Sequence, residues 1–148
     1  MIRQFGEPAK HGQWYKRRPG VYAVLARGKK ILLTHQDAPE PEYQLPGGGI
    51  DAGEHPIAAL HREVREETGW KIAIHHRIGC FRRFTYMPEY DLWAEKICTV
   101  FLARPIYPLG PPTEAGHTAL WMTLPQALDH LGNAGDRSML RSVRKKLL

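Results

Sequence analysis

Cysteine is nearly absent: only Cys80 and Cys98 occur among 148 residues. Two thiols, each inside a strand-like stretch, make neither a disulfide framework nor a zinc-ligand spacing, so they read as reduced, partly buried side chains. No stretch approaches the roughly 20 consecutive apolar residues that a membrane-spanning helix needs. The N-terminal stretch MIRQFGEPAKHGQWYKRRPG is charged and has no apolar signal core, and a cytoplasmic location is expected from that. Internal repeats, low-complexity blocks and linkers are missing too. The length therefore suits one domain over residues 1–148, large enough for one core and too small for two.

Acidic residues are the scarcer charge, 15 against 21 Lys and Arg, for a formal net charge of +6. Five of them, Asp51, Glu54, Glu63, Glu66 and Glu67, lie close together, which leaves the remainder more basic than the total suggests. Arg17-Arg18, Lys29-Lys30, Arg82-Arg83 and the tail residues Arg141, Arg144, Lys145 and Lys146 can attract a polyanion. Most such side chains are solvated faces, and charge alone does not choose between a nucleotide and a nucleic acid.

The concentrated acids sit in Gly48 to Trp70, GGIDAGEHPIAALHREVREETGW. Pro56 suits a first helical turn, with Glu54 and His55 around the cap, and Gly69 suits the C-terminal end. At about 100° per residue, Glu63, Glu66 and Glu67 share one helix face while Ile57, Leu60 and Val64 fall on an adjoining apolar arc. Carboxylates so placed repel one another unless a cation sits among them. Oxygen donors at this density suit a magnesium-class ion that keeps waters for a phosphate to displace. A solvated acidic face would show the same E-x-x-E-E run. What precedes it, Leu45-Pro46-Gly47-Gly48-Gly49, lets backbone approach closely where a Cβ would block it.

The full spacing G-x5-E-x7-R-E-U-x-E-E-x-G-U, with U apolar, is filled without a gap and resembles the signature of the Nudix (MutT-like) hydrolases. Trp70 departs from the usual aliphatic residue at the last position, where a large apolar side chain can pack equally well. The resemblance, over about Arg18 to Leu131, implies hydrolysis of a diphosphate linked to a group X, with Mg2+ or Mn2+ as cofactor. It further implies that Glu63, Glu66 and Glu67 bind metal together with the carbonyl of Gly47. Arg62 matches the motif arginine, whose guanidinium orients a neighbouring glutamate, against a plain surface ion pair as the alternative. Arg62, Glu63 and Glu66 thus form the expected catalytic set with a general base. For that base Glu114, in PPTEAGHTALWM, is the first candidate, and Glu89, Asp91 and Glu95 compete. Glu54 is either a cap or a site residue. His35, His75, His76 and His117 have no ligand spacing and read as structural or exposed.

The remaining pattern gives strands over 21–26 and 30–35 joined across Arg27-Gly28-Lys29, then a loop over 37–42. Two longer strands, 71–86 and 93–104, follow the acidic helix, separated by Met87-Pro88-Glu89. A proline-rich crossing over 105–112, a short strand 119–122, a helix 124–131 and a terminal helix opening at Asp136 complete the chain. The expected class is α/β (α+β): a mixed β-sheet flanked by helices, similar to the Nudix α/β/α sandwich. Phe81, Phe84, Tyr86, Tyr90 and Trp93 cluster around the loop between the long strands. Tyr86, with Arg18, is the expected substrate contact, although sheet packing explains such aromatics equally well. The expected activity is metal-dependent cleavage of a nucleoside diphosphate derivative, such as a dinucleoside polyphosphate, ADP-ribose or an oxidised nucleoside triphosphate. A nucleotide sensor without turnover and an RNA-end pyrophosphohydrolase are the alternatives. The expected partner is a small nucleotide, not a membrane or a nucleic acid, for a chain acting as monomer or homodimer.

Overall fold

The computed structural model describes residues 2–147. In chain order the elements are β1 (Arg3–Gln4), β2 (Lys16–Arg27), β3 (Lys30–Gln36), β4 (Glu42–Gln44), β5 (Gly47–Gly49), α1 (Pro56–Thr68), β6 (Trp70–Met87), β7 (Leu92–Pro108), β8 (His117–Thr123), α2 (Leu124–His130) and α3 (Ala134–Ser142). The sheet runs β1-β6-β7-β2-β3-β4, with β5 added to β2 and β8 to β3. β1 with β6 and β2 with β7 are parallel, and the other pairs are antiparallel, so the sheet is mixed. No helix among the described residues is long and apolar enough to cross a membrane.

Helices cover both faces because the strands are apolar on both. Along β2, Val21, Ala23 and Leu25 point one way and pack with Ala59, Leu60 and Val64 of α1. Val24 points the other way and joins Ile31, Leu33, Phe81 and Val100 beneath Leu131, Leu140 and Val143 of the C-terminal helices. Cys80 and Cys98 are free, and burial pushes the Cys98 thiol up to about 12.

The acidic helix spans the expected residues. His55 is its N-cap, its Nδ1 accepting the Ile57 N–H at 3.1 Å. Gly69 closes it in the left-handed region at φ 77°, donating to the Arg65 carbonyl. The same glycine leaves room for the Gly110 backbone, while its own carbonyl accepts the Leu109 N–H at 2.7 Å. Helix end and the following loop are thereby fixed together.

Several boundaries differ from expectation. β7 continues through Pro105 to Pro108, paired with β6 up to Trp70, so the expected crossing begins only after it. The break between the long strands is a 3-10 turn over Pro88–Tyr90 with Asp91 at φ 46°. α3 opens at Ala134, not Asp136, because Asn133 caps it by accepting the Asp136 N–H at 2.8 Å. Asp136 is instead buried, and its carboxylate accepts the Leu45 N–H at 3.1 Å, holding the chain that leads into the glycines of β5.

Burial raises the Asp136 carboxyl from its ordinary value to about 6 against the opposing hydrogen bond from Leu45. The folded state therefore keeps a proton that the unfolded chain has released, and stability present below about pH 4 is lost as pH rises through about 6. Asp136→Asn keeps an acceptor for Leu45 without titrating. Urea unfolding at pH 4, 5, 6 and 7 should show the parent losing about 2 kcal/mol more than the variant across this range, and parallel curves would refute the assignment.

Candidate active site

Arg62 is the hub of the site. Its Nε and Nη2 donate to the two oxygens of Glu54 at 2.7 and 2.8 Å, a two-pronged contact. Nη1 donates to Glu63 at 3.0 Å and Glu66 at 3.2 Å, and Nη2 also reaches the Gly49 carbonyl at 3.2 Å. Glu54 in turn accepts the Asp51 N–H at 3.0 Å. The Arg62 hydrogen bonds, with that N–H, hold the Glu54 carboxyl down at about 2, and Glu54 in return raises the guanidinium. Glu54 is thus not the helix cap. It seats the arginine that stands on the acidic helix among the glutamates.

Glu67 is the buried member, 5% exposed. One oxygen accepts the Gly47 N–H at 2.9 Å, and the other lies 3.6 Å from His117 Nδ1, which also sits 3.0 Å from Thr34 Oγ1. Burial drives the Glu67 carboxyl well up, the Gly47 N–H opposes this, and the Glu63, Glu114 and Glu66 carboxylates add to the rise. Burial also raises Glu63, outweighing the nearby Arg62 charge. Gly48 is needed here because a Cβ would come within 2.6 Å of the Glu63 carboxylate.

A nearly dry carboxylate facing further carboxylates lacks positive charge, and the oxygen donor set fits a magnesium-class ion. Glu63, Glu66 and Glu67 would hold it with the Gly47 carbonyl. Among the described residues no three His, Cys, Asp or Glu side chains are gathered closely enough to hold a metal ion by themselves. Magnesium takes one or two carboxylates and completes its shell with water and substrate phosphate.

Glu63 and Glu67 line a cavity of about 230 Å3 with Gly47, His117, Arg18 and Tyr90 on its walls. The Arg18 guanidinium lies 4.8 Å over the Tyr90 ring. Glu66 lines a different cavity with Arg62 and Thr113. Its backbone carbonyl accepts the Thr113 and Glu114 N–H groups at 2.8 and 2.9 Å. Glu114 is consequently anchored beside the glutamates while its side chain is exposed.

The competitors lie elsewhere. Glu95 pairs with Arg17 at 3.2 Å and Arg82 at 3.3 Å, Asp91 accepts from the Tyr86 hydroxyl, and Glu89 lines an adjoining cavity. Tyr86 lines that same adjoining cavity and packs on Trp93 at 5.1 Å, so it is Tyr90 that meets the cavity of the glutamates. His117, which sequence reasoning sets aside as structural, is brought to Glu67 by the pairing of β8 with β3, opposite Gln36. The PPTEAGH loop carried a clue in placing Glu114 and His117 three apart. His35 packs on Tyr43, and His76 lies by Lys146.

If Arg62 orders these carboxylates, Arg62→Lys keeps charge and loses the fork. Titrating magnesium against melting temperature should show apparent affinity weakened by about 10- to 100-fold. An unchanged magnesium response would show that the guanidinium contacts are incidental.

The model of the NUDIX domain family matches residues 16–143. An RNA pyrophosphohydrolase of Rhodospirillum rubrum is 42% identical over 60 residues, which is 40% of this chain and 36% of that protein. The chain thus spans little more than a third of that relative's length. Among solved structures, a NUDIX hydrolase from Nitrosomonas europaea superposes with a TM-score of 0.72 at 18% identity, covering 89% of this chain and 91% of that one. A C. elegans Ap4A hydrolase in a binary complex gives 0.67 at 22% identity, covering 89% and 97%. At these identities the structural likeness concerns the fold. With a family match across most of its length and every position of the Gly48 to Trp70 pattern in place, the chain belongs to the NUDIX domain family.

Proposed function

We propose that the chain is a metal-dependent Nudix pyrophosphohydrolase that cleaves the diphosphate linkage of a nucleoside diphosphate derivative. The observation that carries this reading is one cavity lined by buried Glu67, half-buried Glu63, Arg18 and Tyr90. Phosphoryl chemistry asks mostly for charge neutralisation and an aligned water, and a diphosphate in this cavity meets both the carboxylates and the arginine.

When bound, magnesium or manganese neutralises phosphate oxygens and acidifies a coordinated water. Glu67, Glu63 and Glu66 supply carboxylate oxygens for it, and the Gly47 N–H fixes the Glu67 rotamer. Arg62 keeps Glu63 and Glu66 from turning away into solvent. Glu114, tied by its N–H to the Glu66 carbonyl, takes the proton of the attacking water. Arg18 meets the phosphates, and Tyr90, with Tyr86 further out, offers an aromatic face.

RNA 5′-end hydrolysis is the second reading, favoured by the name of the R. rubrum relative and the basic remainder of the chain. Nucleotide binding without turnover, as in a sensor, has less support because no glutamate of the pattern is missing.

A panel of ADP-ribose, diadenosine polyphosphates, nucleoside triphosphates including oxidised forms, nucleotide sugars and a 5′-triphosphorylated RNA separates these readings. With magnesium, scission is expected between phosphates, and release of phosphate from monoesters alone would sink the reaction class. Glu67→Gln should abolish turnover while leaving metal-free melting unchanged or raised, since the substitution replaces a buried carboxyl whose ionisation burial opposes. Glu114→Gln should lower kcat by about 10²- to 10⁴-fold with the magnesium response kept. Loss from Glu95→Gln instead would move the proton acceptor.

A further inference from the structure

A second cavity, of about 370 Å3, adjoins that of the glutamates, and Gln36, Gln44 and Lys96 line both. Lys96 stands at the junction. Its ammonium has no hydrogen bond or ion pair among the described residues, and burial together with the Arg83 charge lowers its pKa. It is a donor-only group, open to an acceptor that a ligand brings. Next to it in the second cavity is Arg83, whose guanidinium is 3.9 Å from Glu42. Glu40, Glu89, Thr85 and Tyr86 complete the polar lining, so two cations face three carboxylates, two amides and two hydroxyls.

That balance decides what fits. A further phosphate would meet three carboxylates at close range and is disfavoured. A neutral group with acceptors on one edge and N–H donors on the next satisfies both signs. Among nucleobases, guanine presents O6 and N7 as acceptors and N1–H and N2–H as adjacent donors. Adenine offers an amine where that carbonyl would be. Lysine to O6 and N7 is a favoured pairing, and a carboxylate accepts from paired N–H groups. The volume suffices for a base.

We infer that this second cavity is a base-recognition site for guanine, with Lys96 donating to the purine O6 edge and Glu42 accepting from its N1–H and N2–H. The inference rests on the proposed reading of the neighbouring cavity as the diphosphate site, and it selects guanosine derivatives among the substrates of that reading. Lys96 is then a specificity residue that bridges the diphosphate and its base.

Calorimetric titration with the α,β-methylene diphosphates of guanosine, inosine and adenosine, in magnesium, reads binding without turnover. The parent should bind the guanosine analogue at least about tenfold tighter than the adenosine analogue, with inosine between them. Lys96→Met should bring inosine to within about twofold of adenosine, and Glu42→Gln should erase the gap between guanosine and inosine. Melting temperatures of both variants establish that they fold. Equal affinities in the parent, no binding of any analogue, or full preference kept in folded Lys96→Met would overturn the inference. Guanosine preference without hydrolysis of any diphosphate would instead remove the reaction class and leave the base site standing. Hydrolysis with no base preference would do the reverse.

Discussion

The clamp of Arg62 on four acceptors is the constraint on which the site depends. One guanidinium holds Glu54 in two-pronged fashion and spends its other donors on Glu63, Glu66 and the Gly49 carbonyl. Residues before the helix, on the helix and on the strand beside it are thereby locked to one planar group. A lysine at the same position would neutralise charge and could not fix three directions at once. The acidic stripe tolerates its own repulsion in part because this cation lies along it. It answers only one side of the stripe.

The other side is Glu67, and its burial is what gives the stripe chemical potential. A carboxylate withdrawn from water is costly unless paired, and here one N–H from Gly47 and a distant imidazole are the partners supplied. The residual need for positive charge is a local energetic cost that binding of a divalent ion would offset. β5 can bring its amide to Glu67 because the strand is glycine throughout. Asp136 secures the approach to that strand from the opposite face of the sheet. Both helical layers therefore converge on one short segment of backbone.

Docking of the 109–116 loop is the third determinant. Carbonyls at the end of α1 have no partner within the helix, and those of Glu66 and Gly69 are satisfied by the N–H groups of Thr113, Glu114 and Leu109. A generic property of helix ends thus places a late carboxylate next to early ones. Along the same strand order, β8 pairs with β3 and sets His117 against Thr34 and Glu67. The cavity beyond Lys96 has the same origin, since Gln36 and Gln44 come from β3 and β4 while Arg83 and Lys96 come from paired positions of β6 and β7.

Periodicity and local steric rules determine the acidic helix, its glycine end, the hairpin at Gly28, the long strands and the division of apolar residues between two sheet faces. Those features depend on neighbours within a few positions, so they are legible in the sequence. The spacing of Glu63, Glu66 and Glu67 is legible for the same reason, and with it the family. Which carboxylate is buried, that Glu54 holds Arg62 instead of capping the helix, and that Tyr90 and not Tyr86 meets the glutamates are decided by tertiary structure. So are the junction at Lys96 and the arrival of His117, which join residues from separate strands. Burial and long-range strand pairing set the electrostatics of these groups, and neither is a function of distance along the chain.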